Sequence, residues 1–168
     1  MKKNYPLYLG KAGHLTVMSE FLTRGWNVAI PEVDIGDDIF VVQDDNGTLR
    51  RVQVKTSTVR QSSFSGQFNI LLPQLRNVAN IPVHYVFIVR HNSQWTRPVI
   101  IRQDYLLDLF QNGNVGSAHE GNLNLYFSYF ADNRIECSGF DLTRYISDFS
   151  DFHLLRTKHS IFRKPSAR

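Results

Sequence analysis

The sequence predicts one α/β domain, and three observations carry that expectation. Leu15, Val17, Met18, Phe21 and Leu22 recur at helical spacing across residues 9–24, and Gly25 follows as a stop. Asp45-Asn46-Gly47 is a strong hairpin signal between two apolar runs. Residues 83–90 form an apolar run broken only by His84 before Arg90, the pattern of a strand covered on both faces.

Each element follows in turn. Residues 26–30 read as a strand ended by Pro31, and residues 39–42 as a second strand entered from an Asp- and Gly-rich turn at 34–38. The hairpin signal sends residues 49–56 back antiparallel beside it. Residues 57–67 are rich in Ser and Thr without periodicity and read as a mobile loop. Residues 68–72 suit a short strand and residues 73–78 a short helix opened by Pro73. Residues 95–102 pair with 83–90 across the His91-Asn92-Ser93 turn, residues 104–110 read as helix, and 112–122 as loop. Residues 123–130 read as a strand and 141–156 as a helix.

Composition bounds the function. The 168 residues suit one domain, and 42% hydrophobic residues with 12% aromatics supply a packed core, which argues against a disordered or collagen-like chain. No apolar run approaches the roughly 20 residues of a membrane-spanning helix. Lys2, Lys3, Pro6, Gly10, Lys11 and Gly13 interrupt any signal-peptide core. Cys137 has no partner for a disulfide, so a cytoplasmic location is expected. The net charge of +4 is uneven: residues 156–168 hold Arg156, Lys158, Arg163, Lys164 and Arg168 without an acid, leaving the rest at −1. The division expected is a domain over 1–155 and a basic tail over 156–168. Of the 19 cations 13 are Arg, whose guanidinium forks match phosphate oxygens.

Chemistry concentrates at Asp38, Gln53 and Lys55. Asp38 stands at the mouth of one strand, while Gln53 and Lys55 are two apart on its hairpin partner and project from one face. A hard cation such as Mg²⁺ takes oxygen donors. The Asp38 carboxylate, the Gln53 amide oxygen and the Val54 carbonyl are the candidate ligands, and Lys55 stands beside them to serve a water or a phosphate. No phosphate-binding loop or dinucleotide fingerprint is present, and His119-Glu120 lacks the second histidine of a zinc-protease helix.

In this order and spacing the residues resemble the PD-(D/E)XK nuclease superfamily, most closely its small Holliday-junction-resolvase-like and homing endonucleases. Gly10 and Gly13 match a glycine pair at the opening of the first helix, and Gly25-Trp26 matches the helix exit. Asp34-x-Gly36-x-Asp38 matches the acidic turn, and Gln53-Val54-Lys55-Thr56 the last motif. The match covers residues 10–58, under a third of the chain. The resemblance implies a restriction-endonuclease-like mixed sheet flanked by helices. It also implies a Mg²⁺-dependent endonuclease acting on DNA, with Mn²⁺ as an alternative ion and a homodimer or tetramer as its assembly. Arg50, Arg51, Arg60, Arg163 and Lys164 are the candidate DNA-backbone contacts. One position departs from the pattern: His14 stands where the family has Glu, removing a carboxylate unless Asp34 or Asp37 turns inward. Imidazole suits Mn²⁺ and later metals better than Mg²⁺. The alternative to an enzyme is therefore a catalytically silent nucleic-acid-binding or assembly module of the same fold.

Overall fold

The computed structural model describes residues 5–33, 36–42, 47–59 and 64–152. In chain order the elements are α1 (Tyr5–Thr23), β1 (Asn27–Ala29), β2 (Ile39–Val42), β3 (Leu49–Thr58), β4 (Ser65–Leu71), α2 (Leu72–Arg76), β5 (Val83–His91), β6 (Gln94–Trp95), β7 (Val99–Arg102), α3 (Gln103–Gln111), β8 (Ser117–His119), β9 (Asn122–Tyr129), β10 (Ile135–Cys137) and β11 (Phe140–Asp141). A 3₁₀ turn, Thr143–Tyr145, follows.

Gly25 ends α1. Its φ of +86° is a left-handed conformation that glycine adopts without Cβ strain. In that turn the Gly25 N–H donates to the Leu22 carbonyl at 2.9 Å and the Trp26 N–H to the Phe21 carbonyl at 3.0 Å, the paired bonds of a Schellman motif. The chain then reverses into β1.

The first sheet is mixed, in the order β1-β2-β3-β5-β6, with β7 also on β5. β2 runs antiparallel to β3 from Ile39↔Val52 to Val42↔Leu49, as the hairpin signal requires. β3 and β5 run parallel from Arg51↔Val83 to Thr58↔Arg90. That pairing needs a crossover, and β4 with α2 supplies it. The second sheet, β11-β10-β9-β4 with β8 on β9, is antiparallel throughout.

β5 divides the core. Tyr85, Phe87 and Val89 point to one face and pack with β4, β9, α2 and α3 through Phe68, Leu125, Phe127, Leu75 and Leu106. Val86 and Ile88 point to the other and meet Val17 and Phe21 of α1, Val52, Val54 and Phe152. Gly13 permits this approach, because a Cβ there would collide with the Thr56 Cγ2 on β3. Buried Gln103 ties the layers together: its Oε1 accepts from the Val83 N–H at 3.2 Å, and its Nε2 donates to the carbonyls of Gln74, Leu75 and Asn77 at 3.0 to 3.2 Å. The result is a single α/β domain whose mixed sheet is flanked by helices.

Four local expectations are corrected. Gly10 and Gly13 do not open the first helix, which is already formed at Tyr5; Gly13 is a packing residue inside it. The described residues of the Ser/Thr-rich stretch 57–67 are mostly strand, because β3 runs through Ser57 and Thr58 and β4 begins at Ser65, with the Gln67 N–H on the Ser57 hydroxyl at 3.1 Å; residues 60–63 lie outside the described residues. The 112–122 loop contains β8. Residues 142–152 hold only the 3₁₀ turn in place of the helix, since the Asp141 and Asp148 carboxylates accept from the Thr143 and Ser150 N–H groups two residues on and favour turns over a continuous helix. Residues 153–156 of that predicted helix, and the basic tail, lie outside the described residues. Among the described residues no helix is long and apolar enough to cross a membrane.

His84 is 3% exposed, its ring tilted against that of Phe152 with centroids 4.7 Å apart, and its Nε2 is 3.1 Å from the Asp151 carboxylate. Burial lowers its pKa below the ordinary 6.5 despite that partner. As pH falls through 6.5 the unfolded chain takes up a proton that the folded chain resists, so acid favours unfolding. The melting temperature should fall between pH 7.5 and 5, by about 2–4 °C for each kcal/mol lost. A His84→Gln variant should show a flatter pH profile by calorimetry.

Candidate functional site

β2 covers β3 only as far as Val52, so past that residue the outer edge of β3 loses its strand partner. Asp38 stands at this opening. Its N–H donates to the Val52 carbonyl at 2.9 Å, one residue out of step with the ladder, and its Oδ2 accepts from the Val54 N–H at 2.7 Å. The carboxylate thus takes the place of a strand and is fixed over the Gln53-Val54-Lys55 segment. His14, from α1, brings its Nε2 to 3.5 Å of the same Oδ2.

Neighbouring Asp37 goes elsewhere. It is 3% exposed and accepts from Nε of Arg51 at 2.9 and 3.1 Å, while Arg51 also donates to the Ile81 carbonyl at 3.1 Å. The inward turn of Asp37 therefore adds no free carboxylate beside Asp38, because Arg51 neutralises it. Arg51 and Arg50, expected to face DNA, are both held within the fold; Arg50 donates to the Asp151 carbonyl at 3.2 Å. Arg60, Arg163, Lys164 and Asp34 lie outside the described residues.

Gln53 is 7% exposed, and its Oε1 has no hydrogen-bond partner among the described residues. A buried amide oxygen left so costs about 1–3 kcal/mol. The contrast with Gln103, whose polar atoms are all engaged, marks Gln53 as more than packing. Lys55, half-buried on the same face of β3, lines a polar cavity of about 540 Å³ with Val54, Thr56, Ser57, Thr58, Gln67, Phe68 and Asn69. A second cavity, about 430 Å³, is lined by Asp37, Asp38, His14, Lys11, Gly10 and Leu7 among others. The Asp38–Val54 hydrogen bond ties the lining of one to that of the other.

The Asp38 carboxylate at this edge and the Gln53 amide oxygen, on the face of β3 opposite Val54, are hard donors of the kind Mg²⁺ takes. Among the described residues no three His, Cys, Asp or Glu side chains gather into a metal cluster. Sequence reasoning missed the Asp37–Arg51 pair and the closeness of His14 to Asp38. Only the alternation of facing between adjacent residues hinted that the two aspartates diverge.

No family model matches the sequence, and no curated protein is similar to it by sequence search. Among solved structures it is similar to that of a bacterial homing endonuclease, I-Ssp6803I, with a TM-score of 0.53 and 16% identity, covering 80% of this chain and 84% of that one. The chain has a nuclease-like fold. The likeness extends well past residues 10–58, the stretch that carries the sequence motifs.

The two aspartates should separate by mutation. Asp37→Ala strands a half-buried guanidinium and should cost about 3 kcal/mol of stability. Asp38→Asn keeps an acceptor for the Val54 N–H and should stay within about 1 kcal/mol of wild type. Urea unfolding of both variants checks the ordering.

Proposed function

We propose that the protein is a metal-dependent endonuclease of the PD-(D/E)XK kind that hydrolyses DNA phosphodiester bonds. The observation that carries this reading is the 2.7 Å bond from the Val54 N–H to Asp38 Oδ2, which fixes a carboxylate over the Gln53-Val54-Lys55 segment. The nuclease-like fold supports it independently.

The orphaned Gln53 Oε1 suits a cation, since an ion would satisfy a buried acceptor that no group among the described residues reaches. Asp38, Gln53 and the Val54 carbonyl would hold Mg²⁺, or Mn²⁺ in its place. Such an ion polarises the scissile phosphate and lowers the pKa of a water. Lys55 supplies a positive charge to the phosphate as its oxygens gain negative charge, or takes a proton from the attacking water. Ser57, Thr58, Gln67 and Asn69, in the same cavity as Lys55, offer hydroxyls and amides of the type that bind a phosphate backbone. Arg60, Arg163 and Lys164 are the further backbone contacts in this reading.

A second reading has its own support. His14 lies 3.5 Å from Asp38 where the family carries Glu, and Arg51 removes Asp37 from the count, leaving one carboxylate among the described residues. A binding module that keeps the fold without the chemistry fits that shortage.

Incubation with plasmid and branched DNA in Mg²⁺ or Mn²⁺ distinguishes the two. Cleavage by wild type should fall at least about a hundredfold in Asp38→Asn and in Lys55→Ala, as losing a major electrostatic contributor does. Equal cutting by wild type and Asp38→Asn defeats the assignment. His14→Glu restores a second carboxylate and should raise Mg²⁺-dependent cleavage. Salt-sensitive DNA binding without cleavage by any of these proteins favours the binding module.

A further inference from the structure

α1 carries a second apolar face that the fold does not use. Gly13, Val17 and Phe21 are buried against the first sheet. Tyr5, Tyr8, Ala12, Leu15, Ser19 and Leu22 line the opposite side, at alternating spacings of three and four, and all six are exposed. The large ones are well exposed: Tyr5 55%, Tyr8 73%, Leu15 54% and Leu22 54%. A surface helix normally turns charge outward. Here Lys11 and Glu20 are the charged residues of the helix, and neither belongs to the stripe. At 1.5 Å per residue the stripe is about 27 Å long, and its alternation of three and four is the seven-residue repeat of a left-handed two-helix seam.

We propose that this stripe is the seam of a homodimer, filled by α1 of a second copy of the chain. The pattern is self-complementary. Tyr8 and Leu22 stand seven residues either side of Leu15, so a two-fold axis through Leu15 in an antiparallel pair sets Tyr8 of each copy beside Leu22 of the other. Ala12 and Ser19 are small and let the helix axes approach. The area suffices: with about 200 Å² for each fully exposed large side chain, the four and flanking Leu7, 74% exposed, offer about 600 Å² per copy. Two copies bury about 1,200 Å², the lower edge of stable specific interfaces. A lipid surface fits poorly, because an interfacial helix needs a charged face in water and the opposite face of α1 lies in the core. Leu7 and Lys11, which flank the stripe, also line the cavity of Asp38 and His14, so seam and candidate site share a border.

Sedimentation velocity of the full-length protein tests this over low to high micromolar concentration. Wild type should sediment at twice the chain mass. Leu15→Glu should weaken the dimer at least about a hundredfold, since each pair then buries two unpaired carboxylates. Its circular dichroism should match wild type, because position 15 is solvent-facing in one copy. Leu15→Cys should form a disulfide-linked dimer on mild oxidation, with Cys137 buried and silent. A wild type that stays monomeric overturns the proposal; protection of the Leu15→Cys thiol from reagent would then assign the stripe to cover by residues 153–168 of the same chain. A dimer that survives Leu15→Glu overturns it equally, placing the contact on another face.

Discussion

The parallel pairing of β3 with β5, held over eight residue pairs from Arg51↔Val83 to Thr58↔Arg90, is the constraint on which the other layers depend. Parallel strands cannot be joined by a tight turn, so the chain must leave the sheet and return. It does so through β4 and α2, and β4 then recruits β9 into a second sheet. With both faces of β5 covered, successive residues feed two separate cores, one with the second sheet and one with α1. The same alternation on β3 turns Val52 and Val54 toward α1 and sends Gln53 and Lys55 to the other side. The position of the candidate site is therefore a by-product of packing. The unpartnered edge of β3 past Val52 exists because β2 is four residues long while β5 needs a longer partner.

At that edge, charge is allocated by geometry. Asp37 and Asp38 are adjacent in sequence, yet one is buried against Arg51 and the other faces the Val54 amide and His14. A buried carboxylate is tolerated only when paired, and Arg51 with its two contacts meets that demand. Among the described residues this leaves the Asp38 carboxylate at the edge, with the Gln53 amide oxygen and Lys55 on the other face of the same strand. In the proposed nuclease such a set, leaner in negative charge than one with a second acidic residue, would hold a divalent ion less tightly for the same geometry.

Legibility in the sequence followed periodicity. The opening helix, the 39–56 hairpin and the buried strand at 83–90 carry strong local patterns, and the structure has them; the return expected over 95–102 is split into β6 and β7, with residues 96–98 outside either strand. The shared face of Gln53 and Lys55 was legible because strand alternation fixes it, whereas the contacts of Asp38 with the Val54 N–H and His14 depend on the chain just before β2 and on α1. The second sheet was not legible. Its short strands β8, β10 and β11 are two or three residues long and are held by pairing to β9, a tertiary cause without a local signature. The 141–152 segment misled because Leu142, Tyr145, Ile146 and Phe149 have near-helical spacing. They bury instead from an irregular chain, against both cores. Gly10 and Gly13 misled for a related reason, since a glycine that lets two backbones approach and one that opens a helix look alike in sequence.

α1 shows how one segment can answer two packing demands with different residue types. The face toward the sheet is shaped for closeness: Gly13 leaves room for Thr56, and Phe21 fills the space between Phe149 and Phe152 at ring distances of 5.5 and 4.7 Å. The outward stripe is shaped for area, with tyrosines at one end, leucines at the other and small residues between. Tyrosine suits such a seam because its hydroxyl can stay wet while the ring is covered. Apolar residues on both sides leave the helix without the contrast that marks a surface helix in sequence. For a lone domain such a helix would be a defect, exposing a long apolar strip to water. In the proposed pair of chains the same strip is what the partner would cover, and the need for that cover, rather than the domain's own core, would explain why leucine and tyrosine stand where lysine and glutamate would serve a monomer better.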